Sequence, residues 1–252
     1  MIPFQVVLNT FASDVFRNQA DQDYIVARAA YRLRCREQFL WSGLQALEKY
    51  FKGILLFNGL SARWPRGSSS GKEYGHDVVK LLGAVRAIAY LRFTGPTWLD
   101  DFVQYLRTFG DNRYLSTDTY TMGRELLRLD EAVWMVRRYC QCVNVVIDLP
   151  SGKKQPLRKH LIDHINDTRH RRRPERFRPF GAVGGLLERV LDRDLPARET
   201  LMWNNLFYGK RHRSRVRYRT LSSSEIPPHR RDWCQDPILL QRVEKYVRIP
   251  RT

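Results

Sequence analysis

The segment of residues 38–57 constrains the fold more strongly than any other stretch of this sequence. Its apolar side chains recur every three or four residues, which is the spacing of one face of an α-helix. The residues on this face are Leu40, Leu44, Leu47, Phe51 and Leu55. The segment therefore predicts a long amphipathic helix that turns one face toward a hydrophobic core and ends at Asn58-Gly59.

A second, polar line of residues follows the same predicted helix. It consists of Gln45, Glu48 and Lys52, which are spaced three and four apart. At about 100° per residue, this polar stripe lies roughly a quarter turn from the apolar face. It is typical of the polar border of a groove between two helices. The alternative is a solvated Glu48–Lys52 pair, which stabilises a helix by only about 0.2–0.5 kcal/mol.

The helical periodicity recurs in residues 21–36, in a segment that starts near His76-Asp77, and in one that starts at Thr97. Asp77 suits the positive end of its predicted helix. The longest apolar line runs through Leu126, Leu129, Val133, Val136, Cys140, Val143 and Ile147. Residues 3–8 are interpreted as a short strand or an extended arm, and no strand is convincing over residues 20–149. The pattern predicts a mainly α protein, with an up-and-down helical bundle over residues 20–149.

The charge of the chain is strongly positive and unevenly distributed. The net charge is +18, with a pI near 10.2. Residues 1–150 carry 19 Lys and Arg against 15 Asp and Glu, whereas residues 151–252 carry 25 against 11. We therefore predict two domains, a bundle over 1–149 and a basic, mostly helical nucleic-acid-binding extension over 150–252. A polyanionic partner is expected, RNA first and DNA as an alternative.

Two basic tracts of the extension supply the predicted nucleic-acid contacts, with Phe177, Phe180 and Tyr218 among the cations as stacking partners. The alternative is a solvated face that only keeps the protein in solution. The predicted contact residues are Arg169, Arg171, Arg172, Arg173, Arg176, Arg178, Lys210, Arg211, Arg213, Arg215 and Arg217.

We expect no metal and no other cofactor. Cys140 and Cys142 are one residue apart in a predicted helix and so point to different faces, which is poor geometry for zinc. His160 and His164 have a metal-compatible spacing but no evident third ligand. The start of the chain does not have the pattern of a signal peptide, and no stretch is apolar over the length of a membrane span. A cytoplasmic, reduced protein without a membrane partner is expected.

Three segments of the first half carry a resemblance to a known family. They are residues 20–28 (ADQDYIVAR), residues 45–52 (QALEKYFK) and His76-Asp77 followed by Leu81-Leu82. In combination they resemble the HEPN (higher eukaryotes and prokaryotes nucleotide-binding) domain over residues 20–149. Residues 112–114 (NRY) are similar to the Arg-Tyr-Pro element of many members, with Leu115 in place of the proline.

The resemblance implies an all-α bundle, usually a homodimer, and an RNA-directed activity. Many members are metal-independent endoribonucleases of toxin–antitoxin and antiviral defence systems, whereas others only bind RNA, nucleotides or a partner. Active members place an Arg a few positions before a His. Arg113 matches that Arg, but no His follows within the next seven residues.

His76 is the alternative acid or base for such chemistry, with Arg113 as the cation at the phosphate. The simpler interpretation of His76 is a residue that caps or packs at a helix start. Arg158 with His164 six positions later also has a suggestive spacing, but it lies in a basic tract where chance accounts for it. A non-catalytic nucleic-acid-binding or scaffold subunit of a larger nucleoprotein complex is the second functional hypothesis.

Overall fold

The computed structural model describes residues 4–63, 73–110, 122, 124–167, 185–193 and 196–208, and this part of the chain is a mainly helical bundle. Its helices are α1 (Phe4–Phe11), α2 (Asn18–Arg32), α3 (Arg36–Phe57), α4 (Val78–Arg86), α5 (Thr97–Gly110), α6 (Glu125–Arg137), α7 (Arg158–Asn166), α8 (Leu186–Asp192) and α9 (Pro196–Met202). Two short strands, β1 (Val146–Asp148) and β2 (Lys154–Pro156), form an antiparallel hairpin. None of the described helices is long and apolar enough to cross a membrane.

Helix α3 lies at the centre of the bundle and packs against α2, α4, α5 and α6. Its predicted apolar face is confirmed, because all five residues of that face are at most 1% exposed. Helix α5, which begins at Thr97 as predicted, contributes Leu99, Phe102, Val103 and Leu106 to the core, all fully buried. Burial of these large side chains is the main stabilising term of the fold.

No Pro or Gly separates the predicted helices of residues 21–36 and 38–57, so their sequence is compatible with a turn or with one continuous helix. The structure shows a turn, because α2 ends at Arg32 and Arg34 adopts a left-handed φ of 62°. Tyr24, Ala27 and Tyr31 of α2 are buried. Cys35 lies beyond the helix and is exposed.

The interpretation of residues 3–8 as a strand or arm is wrong, since α1 begins at Phe4. The run of Val6, Val7 and Leu8 suggests a strand by composition, but Phe4, Val7, Leu8 and Phe11 have helical spacing. A π-helical segment, Ala12–Arg17, joins α1 to α2 without a break. No residue of α1 is buried, so the local helical spacing and the continuity with the next segment prevail here over the β-rich composition.

The prediction of one unbroken helical seam as far as Ile147 is also wrong. Helix α6 ends at Arg137, although Cys140 and Val143 of the seam are still buried. Ile147 lies in β1, where it pairs with Gln155 and is 38% exposed. The β-branched residues of this stretch favour an extended backbone, and the turn through Gly152 (φ +75°) allows the hairpin to close.

The predicted domain boundary near residues 149–152 coincides with this hairpin turn. Described residues beyond it belong to the same hydrophobic core as the first half, namely Ile162, Ile165, Leu187, Val190 and Leu201. Residues 209–252 lie outside the described part of the chain. The division into two domains therefore stays a prediction.

Candidate functional site

A polar cluster forms where the loop before α4 meets α3, and we call Glu48, Lys52 and His76 the His76 cluster. The Nδ1 atom of His76 lies 3.1 Å from both carboxylate oxygens of Glu48. Lys52 donates to the same carboxylate, with its Nζ 2.7 Å from Oε1. Two residues of the predicted polar stripe, Glu48 and Lys52, thus lie together with the predicted histidine.

Local backbone features place His76 against α3. Gly75 has a φ of +54°, a left-handed conformation that glycine adopts without strain. Asp77 caps α4 by accepting a hydrogen bond from the backbone N–H of Lys80 at 3.2 Å. Val78 follows and is fully buried. The imidazole therefore lies between a left-handed turn at Gly75 and an anchored helix start.

Burial differs sharply within the His76 cluster. The side chain of Glu48 is only 4% exposed and that of Lys52 16%, whereas that of His76 is 76% exposed. The interpretation of Glu48 and Lys52 as a merely solvated pair is wrong, because the carboxylate is almost fully buried. The simpler interpretation, that His76 caps or packs at the start of α4, is wrong, because the cap is Asp77 and the His76 side chain is largely exposed.

This arrangement has a defined chemical capacity. A neutral imidazole that donates its Nδ1–H to Glu48 keeps a lone pair on Nε2, which can accept a proton from a ligand. A carboxylate that orients the ring in this way is the second member of many acid–base pairs. Because Glu48 is buried, its hydrogen bonds to His76 and Lys52 satisfy a charge that would be costly to leave unpaired.

Two further cations adjoin the cluster through Asp77. The guanidinium of Arg107 and the ammonium of Lys80 each lie 3.3 Å from Oδ2 of Asp77. Burial tends to raise the pKa of Asp77, but the hydrogen bonds from Lys80 and the charges of Arg107 and Lys80 outweigh it. That pKa lies below its ordinary value of 3.8. Sequence analysis missed Arg107, because nothing near it in the chain indicates that α5 reaches Asp77.

An open cavity of about 390 Å³ borders the cluster, with Lys52 in its wall. We call it the Phe11 cavity. Both rings of its aromatic wall come from the junction of α1 and the π-helical segment. Its lining residues are Phe11, Phe16, Lys52, Leu56, Ser61, Ala62, Arg63, Glu73 and Gly75.

The remaining predicted site residues lie elsewhere. Gln45 is partly exposed on α3, one turn before Glu48. Arg113 and all eleven basic residues predicted to contact nucleic acid lie outside the described residues. His160 and His164 are on α7, where His160 is exposed. In the ranges that the structure describes, no group of three or more His, Cys, Asp or Glu side chains could hold a metal ion.

Two buried ionic networks, which sequence analysis also missed, join α8 and α9 to the bundle. In one, Arg137 makes paired contacts with Asp21 (2.7 and 2.8 Å) and with Glu188 (2.6 and 2.7 Å). In the other, Arg28 pairs with Asp130, and both side chains are fully buried. The sequence did offer a signal for these networks, namely charged residues at helix positions that are expected to face the core.

Backbone groups complete these networks. The guanidinium of Arg28 donates to the carbonyl oxygens of Thr200 and Trp203, which fixes the end of α9. Asp130 also accepts the hydroxyl of Tyr24 at 2.6 Å. Burial, reinforced by the Asp130 carboxylate, raises the pKa of Tyr24 well above its ordinary value. These networks face inward and hold the fold together.

No protein-family model, no curated protein and no solved structure matches this chain.

Proposed function

We propose that this chain is an RNA-binding protein of the HEPN type, and that the His76 cluster receives a phosphate of the bound RNA. The observation that carries the proposal is the exposed imidazole of His76, held by the buried carboxylate of Glu48. Lys52 contacts the same carboxylate, and Lys80 and Arg107 contact Asp77, the next residue along the chain. An excess of 18 positive charges over the whole chain favours a polyanion as the ligand.

The salt dependence of RNA binding tests this proposal. Each phosphate contact releases counterions, so the logarithm of the binding constant falls with the logarithm of salt concentration. We expect Arg107→Gln to weaken RNA binding and to reduce the salt slope by about 1, which is the signature of one lost phosphate contact. Fluorescence anisotropy with labelled RNA at several salt concentrations measures both quantities.

Arg86→Gln is the matched control. Arg86 also pairs with an aspartate, Asp100, on the surface (3.0 Å for one of its two contacts), but it lies at the opposite end of α4 from His76. Its replacement is expected to leave the salt slope unchanged. Equal slopes for the wild type, Arg107→Gln and Arg86→Gln would contradict a phosphate site at the cluster.

The basic extension is expected to contribute separately to affinity. Exchange of Arg171, Arg172 and Arg173 for Glu should weaken RNA binding uniformly across sequences, because phosphate contacts carry no base information. Weak binding by the isolated chain that becomes tight only with a partner protein would instead favour the scaffold-subunit hypothesis. The homodimer implied by the HEPN resemblance is testable by gel filtration of the same samples.

Metal-independent cleavage of RNA is a second candidate function, favoured by the His76–Glu48 geometry. Nε2 of His76 would accept the proton of a ribose 2′-hydroxyl, and the 2′-oxygen would attack the adjacent phosphorus. The bond to the 5′-oxygen breaks, the leaving oxygen takes up a proton, and the products end in a 2′,3′-cyclic phosphate and a 5′-hydroxyl. A cation such as Arg113 would stabilise the charge that develops at phosphorus.

Incubation with mixed tRNA in the presence of EDTA tests this second candidate. Fragments with cyclic phosphate ends should appear with the wild type and be lost with His76→Gln and with Arg113→Ala. His160→Gln, which removes an exposed histidine on α7, is the control and should cleave normally. Cleavage that EDTA abolishes, or that His76→Gln retains, would contradict the mechanism.

A further inference from the structure

We propose that the Phe11 cavity holds one unpaired base of the bound RNA, so that the protein prefers single-stranded over duplex RNA. The proposal rests on the proposed function, because it adds a base subsite beside the phosphate site at the His76 cluster. The two sites share Lys52, which lines the cavity and donates to Glu48.

The π-helical segment creates the aromatic wall of this cavity. In a regular α-helix, residues five apart point about 140° away from each other. In a π-helix, residues five apart lie about one turn above each other, because the hydrogen bonds run from i to i+5. Phe11 and Phe16 therefore reach the same cavity across Ala12–Arg17. Such local π-helical turns are frequent at functional sites.

The two rings form a corner rather than a stack. Their centroids are 5.8 Å apart and their planes meet at 68°. Phe16 packs directly on α3 at Gly53. The approach is so close that a Cβ added to Gly53 would lie 3.4 Å from the Cβ of Phe16, which holds Phe16 in place. Phe11 is 49% exposed and presents ring surface to solvent. A planar base can stack on one ring and meet the edge of the other.

The other walls match the polar parts of a nucleotide. Lys52 and Arg63 supply positive charge, and Glu73 supplies acceptors for the amino groups of a base. Arg63 and Glu73 pair at 2.7 Å, and both are well exposed (68% and 43%). The volume of about 390 Å³ lies within the range of small-molecule pockets.

Single-stranded RNA fits this geometry better than a duplex does. Stacking on aromatic side chains is the usual way in which proteins bind unpaired bases, and it tolerates any base because each has a π face. A paired base is stacked within its helix and would have to be extruded first, at a cost in free energy. The Phe11 cavity should therefore add affinity only for RNA with free bases.

The test compares labelled oligoadenylate with a labelled RNA duplex, by fluorescence anisotropy on the full chain. Phe11→Ala is expected to weaken binding of oligoadenylate about tenfold, in the range measured for loss of one base–aromatic stack. Binding of the duplex should stay unchanged. Phe11→Tyr keeps the ring and should retain the wild-type affinity for both RNAs.

Val15→Ala is the matched control, because Val15 is an exposed apolar residue (42%) of the same segment that does not line the cavity. Equal affinity of wild type and Phe11→Ala for oligoadenylate, or equal losses on both RNAs, would overturn the base subsite while leaving RNA binding established. Loss of oligoadenylate binding in Val15→Ala as well would also overturn it. A wild type that binds neither RNA would overturn both proposals.

Discussion

The Arg28–Asp130 network that joins α9 to the bundle is closed, whereas the His76 cluster is open on one side. Arg28 and Asp130 are fully buried, and they also bond to the Tyr24 hydroxyl and to the backbone carbonyls of Thr200 and Trp203. In the His76 cluster the carboxylate of Glu48 is just as buried, but the imidazole that it holds is 76% exposed. Both use a buried acid to hold a basic side chain.

This difference separates two uses of charge in one fold. The charges of a buried pair lose their hydration on folding and depend on their contacts with each other. Loss of one partner is therefore strongly destabilising, and such a pair fixes the relative position of helices. A surface pair contributes little to stability and leaves its exposed member available to a ligand. The comparison predicts that substitutions lower the free energy of unfolding by different amounts, with the largest loss in the closed network.

Replacement of Arg28 by Met should have the largest effect on stability. It leaves Asp130 buried without its cation, which typically costs about 3–5 kcal/mol of unfolding free energy. Urea denaturation followed by circular dichroism measures this loss. Arg86→Met breaks an ion pair whose members are 32% and 48% exposed and should cost less than about 1 kcal/mol. Similar losses in both variants would break the distinction between closed and open pairs.

Glu188→Gln should have an intermediate effect that depends on pH. Burial tends to raise the pKa of Glu188, but the charge and hydrogen bonds of Arg137 outweigh it, so the pKa lies below its ordinary value of 4.5. A depressed folded pKa means that the stabilisation is complete above the unfolded value and is lost as pH falls through the folded value. Loss of a hydrogen-bonded charge should cost about 1.5–3 kcal/mol near neutral pH.

The pH dependence sharpens this test. The difference in unfolding free energy between wild type and Glu188→Gln should shrink as pH falls below 4.5, because protonated Glu188 resembles the amide. Urea denaturation at a series of pH values measures it. A difference that stays constant until acid unfolding would show that Glu188 is not held as a carboxylate by Arg137.

His76→Gln should have the smallest effect on stability, below about 1 kcal/mol, because the His76 ring is 76% exposed and little burial is lost with it. The same urea denaturation measures it. Lys52 remains as a partner of Glu48, 2.7 Å away, so the buried acid is not left alone. A loss as large as that of Arg28→Met would place His76 among the structural residues.

The elements that sequence analysis predicted well are those whose pattern is local. The apolar face of α3 repeats over several turns, and such a face has to be buried somewhere, whatever its partner. The start of α4 at Asp77 follows from a capping residue next to an apolar run. The failures lie at α1 and beyond α6, where a β-rich composition and helical spacing point to different structures.

For the candidate site, the sequence alone determined the residue types and their helical spacing: the Gln45–Glu48–Lys52 stripe, a histidine at a helix start, and a strongly basic chain. Tertiary structure decided that Glu48 and His76, 28 residues apart, share hydrogen bonds, and that Arg107 meets Asp77. It also decided that Phe11 and Phe16 face one cavity. The reason is physical: periodicity records which side of a helix is buried, whereas contacts between helices depend on how their faces pack together.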